Sequence, residues 1–407
     1  MILYNKDKVI KFLDKAIIFN IYIYALGSMT SKALISTGMG FSVIFWTIKL
    51  IILRSEYKFN KSRLGFAMLL FSISILFSGI DAFSREILNS NFYFSFLFFA
   101  VVINELKNKK TIKKMFFTLL FSSIISVIYG YYEYFFANLK RADSFTSSLA
   151  LGNFMAVYTF FFIIYIFWGK NIKNSTRVLF SFFSMIYFIL LLLTKTRGAW
   201  LAFIFGIIVL GLLKDKRIII VFLILLLTFF IILPEQYINR FKSSFNIQYN
   251  LKNNRSNSIR IGLWMTSIKM FLDHPINGVG YDQYKNQYIS NYKIEGINPF
   301  SHAHNNILQI VAELGLFGLL SFVYLMWMVI KNLIYYYKNT IDLKRKLFHL
   351  GSILTFLVYH IQGLTQYNFG DTEPLHFFWF IIALNFVVFN FEDINNNNLL
   401  EKSENLI

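Results

Sequence analysis

Residues 301–320 read SHAHNNILQIVAELGLFGLL. Polar side chains fill the first half and apolar ones the second. Two of the chain's six histidines, His302 and His304, sit two residues apart here. Asn306, Gln309 and Glu313 follow at spacings of three and four, which places them on one helix face. A helix that opens on such residues and runs into an apolar stretch reads as a loop entering a bilayer. The composition agrees: 56% of the 407 residues are apolar and only 15% are charged, against about 25% charged in a soluble domain. Cysteine is absent, which excludes a disulfide framework, a thiolate nucleophile and a cysteine metal site.

A bilayer crossing needs about 20 mostly apolar residues. Twelve stretches qualify, at roughly 12–30, 33–53, 64–81, 90–105, 115–136, 148–168, 177–194, 198–213, 217–234, 305–330, 347–366 and 374–391. The expected fold is therefore all-α and polytopic, and the first stretch is expected to act as an uncleaved anchor. Cytoplasmic loops collect Lys and Arg. The N-terminal segment and alternate loops hold 24 basic residues, while the short loops between them hold six. This asymmetry keeps its phase along the chain and predicts both termini inside. Much of the net charge of +19 is then topological, so a nucleic-acid partner is not expected.

Four regions follow. Residues 1–234 would form a membrane domain of nine spans, 235–304 one large extracytoplasmic loop, 305–391 a membrane domain of three spans, and 392–407 a disordered cytoplasmic tail. The large loop carries a basic surplus on the side where orientation does not require it. An anionic substrate near the outer surface explains this, as does attraction to anionic headgroups. Within the loop, residues 256–280 read as a helix capped by Ser256, Asn257 or Ser258. Its apolar stripe is Ile261, Trp264, Ile268 and Phe271/Leu272, and Pro275, Gly278 and Gly280 end it. Such a helix would lie on the membrane or pack over the crossings.

Three places could carry chemistry, each with a structural alternative. His304 falls at the outer interface. There a neutral imidazole could accept a hydroxyl proton, or could merely hydrogen-bond the helix entry. Glu313, within the membrane zone, reads better as a hydrogen-bond anchor than as a catalytic group. Lys195 and Arg197 lie in TKTRGAW, at a tight outer turn. Arginine offers a rigid fork of donors for phosphate, yet an interfacial arginine can simply snorkel. Arg260 sits near the start of the loop helix, where a cation opposes the dipole. A metal held by His302 and His304, or by Asp371 and Glu373, lacks a decisive ligand spacing. No Walker loop or dinucleotide fingerprint occurs.

These motifs in order — Thr196 to Trp200, Arg260 with Trp264, HPINGVG at 274–280, His304 to Gln309, Glu313 to Gly315 — resemble the O-antigen ligase and polymerase superfamily of membrane glycosyltransferases. The resemblance implies a GT-C-like fold with no cofactor and no metal. It also implies an enzyme of the bacterial inner membrane that moves a glycan from a polyprenyl-diphosphate carrier to a hydroxyl. The acceptor would be lipid A–core, the end of another glycan, or a protein. Carried over by position, Arg197 and Arg260 would grip the diphosphate, supported by Lys195, and His304 would be the base. Asn305 would orient His304, and His302 has a less definite place. The non-enzyme alternative is a lipid-linked glycan transporter, which would need charged residues lining a path through several crossings.

Overall fold

The computed structural model describes residues 2–404 apart from 61, 81–84, 89, 138, 233–254, 296, 299 and 301; for 2–5, 85–86, 225–232, 255–256 and 392–404 only the backbone is described. The helices are α1 (Ile2–Gly27), α2 (Lys32–Leu53), α3 (Leu64–Phe77), α4 (Arg85–Leu88), α5 (Asn91–Glu105), α6 (Lys109–Phe135), α7 (Ser148–Trp168), α8 (Asn174–Leu193), α9 (Arg197–Leu213), α10 (Arg217–Ile232), α11 (Arg255–Asp273), α12 (Tyr284–Asn291), α13 (Asn306–Asn339), α14 (Leu343–Gly363) and α15 (Thr372–Glu404). Among the described residues there is no strand. The protein is an all-helical, polytopic membrane protein.

Each of the twelve stretches read as crossings overlaps a helix. Among the described residues, six helices are long and apolar enough to cross a bilayer, and α3, α5 and α9 are shorter apolar helices. α15 continues to Glu404, past the point where the sequence places a tail. Side-chain caps fix several starts. Ser31, Asn108, Ser147 and Asp342 each accept a backbone N–H of the helix that follows, which satisfies a donor that the helix cannot pair internally. α7 and the membrane part of α15 form the centre, with 72% and 83% of their apolar windows buried, whereas α8 is peripheral at 17%. Large apolar side chains such as Phe66, Ile128, Val178 and Trp327 point outward, as a hydrocarbon solvent requires.

Near one end of the bundle, Lys49 departs from the snorkelling expected of an interfacial lysine. It is buried and pairs with Asp14 at 2.6 Å and Glu105 at 2.7 Å. Tyr57 also donates to Glu105, at 2.7 Å. The two contacts tie α1, α2 and α5 together, and the buried Lys49 and Glu105 compensate each other where neither charge could be left alone.

The loop after α11 explains two of the sequence motifs together. α13 is broken at Gly315, whose φ of 63° and ψ of −159° lie in a region open essentially to glycine alone. The break frees backbone groups, and the HPINGVG segment satisfies them. Val279 and Gly280 donate to the carbonyls of Ala312 and Glu313 at 2.9 and 3.0 Å. Leu316 and Phe317 donate to those of Pro275 and Ile276 at 2.8 and 3.3 Å. Irregular backbone at membrane depth is tolerated when protein satisfies it in this way. Glu313 completes the joint by accepting the N–H of Tyr284 at 3.2 Å, the anchoring role that its position suggests. A Cβ on Gly315 would lie 2.4 Å from the Ile276 carbonyl oxygen. Gly315→Ala is therefore expected to cost about 2 kcal/mol or more, measured as a lowered Tm of the detergent-solubilised protein.

α11 packs through a different face from the one its apolar stripe suggests. Leu263, Thr266, Ser267 and Met270 are buried, whereas Ile268 and Leu272 are exposed. The reason is local hydrogen bonding. Tyr284 donates to the Leu263 carbonyl at 2.8 Å, and Ser267 donates to Tyr284 at 3.3 Å. Leu263 and Met270 join Tyr284, Tyr288, Ala303 and Ala312 in a second small core outside the main bundle. The residues just before Arg255, including the first part of the large loop, lie outside the described residues.

Candidate functional site

Several connections meet at the end of the bundle that alternates with the lysine-rich loops. The α8–α9 turn is built on threonines. Thr196 donates to the Ser148 carbonyl at 2.9 Å, and its N–H reaches Thr194 Oγ1 at 3.3 Å. Between them Lys195 adopts φ 51°. Arg141, from the α6–α7 connection, donates through Nε to the Thr194 carbonyl and through Nη2 to Thr196 Oγ1, both at 3.0 Å. Gly198 lets the α14–α15 connection come close, since a Cβ there would lie 2.4 Å from Thr365 Oγ1. Arg197 leans on α11 and donates to Asn257 Oδ1 at 2.9 Å. Asn257, one of three residues expected to cap α11, thus holds a guanidinium.

Arg141, Lys195, Arg197 and Arg260 line one cavity with Gln362, Thr365 and Gln366. Its volume is about 70 Å³, room for roughly five waters at 10–15 Å³ each. A phosphate-sized group fits. Among the described residues that line it, four are cations and none is a carboxylate. The electrostatics carry the mark of this. Burial, and next the Arg197 and Arg141 charges, push Arg260 down from 12.5 to about 10. It remains protonated at neutral pH, but at a cost that an anion would relieve.

His304 stands beside this cavity. It has φ 52°, uncommon for a residue with a side chain. Its Nδ1 lies 3.0 Å from Oε1 of Gln366, itself a lining residue. Burial is the main cause that holds the His304 imidazole below its ordinary range, and Arg260 pushes in the same direction. His302 accepts the His304 backbone N–H on its Nδ1 at 3.2 Å. Burial, and then the neighbouring His304, hold His302 down to about 3. Both rings are thus neutral at neutral pH, and with its Nδ1 engaged His302 is a support for the loop.

Asn305 does not reach the His304 ring as the sequence suggests. Its Oδ1 caps α13, accepting from Ile307 at 2.9 Å and Leu308 at 3.0 Å. Its amide donates to the Leu364 carbonyl at 2.9 Å, which ties the start of α13 to the connection that carries Gln366. Two of the lining residues, Gln366 and Arg141, carry no marker in the sequence. Neither has a local motif, and only the folded chain brings them to the site. Among the described residues, no three His, Asp or Glu side chains gather as a metal site. Glu373 pairs with Lys32 at 3.3 Å.

Residues 182–323 match the family model described as O-antigen ligase. The similarity to O-antigen ligases is confined to this stretch. A protein of Rickettsia prowazekii named "Putative polysaccharide ligase" is 31% identical over 131 residues, which is 30% of this chain and 29% of that protein. One of Rickettsia typhi with the same name is 33% identical over 132 residues, again 30% and 29% of the two chains. The alignments thus span less than a third of those relatives. The matched stretch contains Lys195, Arg197, Arg260 and His304, whereas Arg141, Gln362 and Gln366 lie outside it.

Proposed function

We propose that this membrane protein transfers a glycan from a polyprenyl-diphosphate carrier to a hydroxyl at the outer face of the bacterial inner membrane, with lipid A–core as acceptor. The observation that carries the reading is the convergence of Arg141, Lys195, Arg197 and Arg260 on one phosphate-sized cavity whose wall also holds the partner of His304. The names of the relatives supply the ligase class.

The chemistry needs no ATP, because the glycosyl–diphosphate bond is already activated. As that bond breaks, charge grows on the leaving diphosphate. Arginines aimed at that charge stabilise the transition state more than the ground state. His304 takes the proton of the acceptor hydroxyl, which attacks the anomeric carbon from the face opposite the diphosphate. The configuration inverts. Carrier and acceptor are both membrane-anchored, so the interface supplies proximity. In this reading the large loop and the basic end face outward and both termini lie in the cytoplasm.

Purified protein given polyprenyl-diphosphate glycan and lipid A–core should form the ligated product. Extension of the carrier-bound glycan instead would make the enzyme a polymerase. Donor crossing a liposome bilayer without transfer would make it a transporter. Transfer should proceed unchanged in excess chelator; loss that a divalent cation restores would overturn the metal-independent mechanism.

A further inference from the structure

The His304 ring is oriented by a residue 62 positions away, and that residue is oriented in turn. Gln366 presents Oε1 to His304 Nδ1 at 3.0 Å and donates from Nε2 to Asp371 Oδ2 at 3.3 Å. An amide has one accepting end and one donating end. An ionised carboxylate only accepts, so Asp371 draws the NH₂ end and leaves Oε1 for the histidine. Oε1 also only accepts, so His304 must carry its proton on Nδ1. In a neutral imidazole the lone pair then lies on Nε2. Burial pushes the Asp371 carboxyl up to about 6, so it is ionised at neutral pH.

The surroundings hold this arrangement. The His302 ring stands edge-on to His304 with centroids 4.2 Å apart, and Phe300 approaches at 5.5 Å. Gln366 is buried. Of the charged and titratable groups, His302 faces the His304 ring from its own loop, and Arg260 acts on it from α11. Glu373 and Lys32 act on Asp371.

We infer that Gln366 and Asp371 are positioning residues that hold His304 as its Nδ1–H tautomer and so make Nε2 the atom that takes the acceptor's proton. The inference rests on the reading of His304 as the base. The interposed amide has its own consequence. A carboxylate directly on the imidazole would favour the imidazolium; the amide passes on orientation without charge, and the ring stays neutral beside Arg260.

The test uses the full-length protein with ¹⁵N-labelled histidine, its His304 signals assigned by their loss in His304→Gln. The wild-type ring should be neutral with its proton on Nδ1. Gln366→Leu and Asp371→Leu should give mixed tautomers and lower kcat by roughly ten- to a hundredfold, with the donor KM little changed. A proton on Nε2 in the wild type, or an unchanged tautomer in both leucine variants, would overturn the inference. If a leucine variant loses its Tm, the wild-type spectrum alone still decides. A protein that shows the Nδ1–H tautomer yet transfers no glycan would instead sink the functional reading.

Discussion

His304→Ala is expected to lower kcat for glycan transfer by roughly 10²–10⁴-fold, the usual contribution of a positioned general base, with little change in Tm. The ring's contacts explain the separation. It meets Gln366 and the rings of His302 and Phe300, but it does not cap α13, a task that belongs to Asn305. Loss of the ring therefore removes chemistry and leaves the helix entry in place. Steady-state transfer by wild type and variant, with Tm as the control for folding, checks this. Transfer within a few-fold of wild type would remove His304 as the base.

Arg197→Ala is expected to cost about 2–5 kcal/mol in kcat/KM, the range for truncating one partner of a desolvated charge pair. Arg197→Lys is the sharper comparison. It keeps the charge but loses the planar fork, and with it the geometry in which one guanidinium nitrogen rests on Asn257 at 2.9 Å. It should recover only part of the loss. If lysine serves as well as arginine in the transfer assay, bidentate recognition is wrong and the site needs only positive charge.

The sequence made the helical architecture legible because crossing a bilayer imposes length and apolarity on each segment, and lysine-rich loops mark alternate turns. It made Arg197, Arg260 and His304 legible as candidates because each sits in a local motif at a helix end. What it hid depends on packing between distant segments. Which face of α11 packs depends on Tyr284 and Ser267, whose contacts lie outside the local pattern. Asn305 is the neighbour of His304 in sequence, yet a capping geometry points its side chain elsewhere. Lys49 is buried by Asp14 and Glu105, which are far apart in the chain. Gln366 carries no signal in one sequence, since a glutamine after a helix is unremarkable without the ring that it faces.

The clip between HPINGVG and the break in α13 bears on how such proteins could be recombined. Both halves of the clip fall within residues 182–323, as do Arg260 and His304. A chimera that exchanged that stretch would carry over the register between the cation-bearing helix and the histidine as one cassette. A junction placed between 281 and 311 would separate the halves and leave unmatched backbone at membrane depth. Even the well-chosen cassette would leave Gln366 and Asp371 with the host, so its histidine would be set by whatever side chain the host offers there.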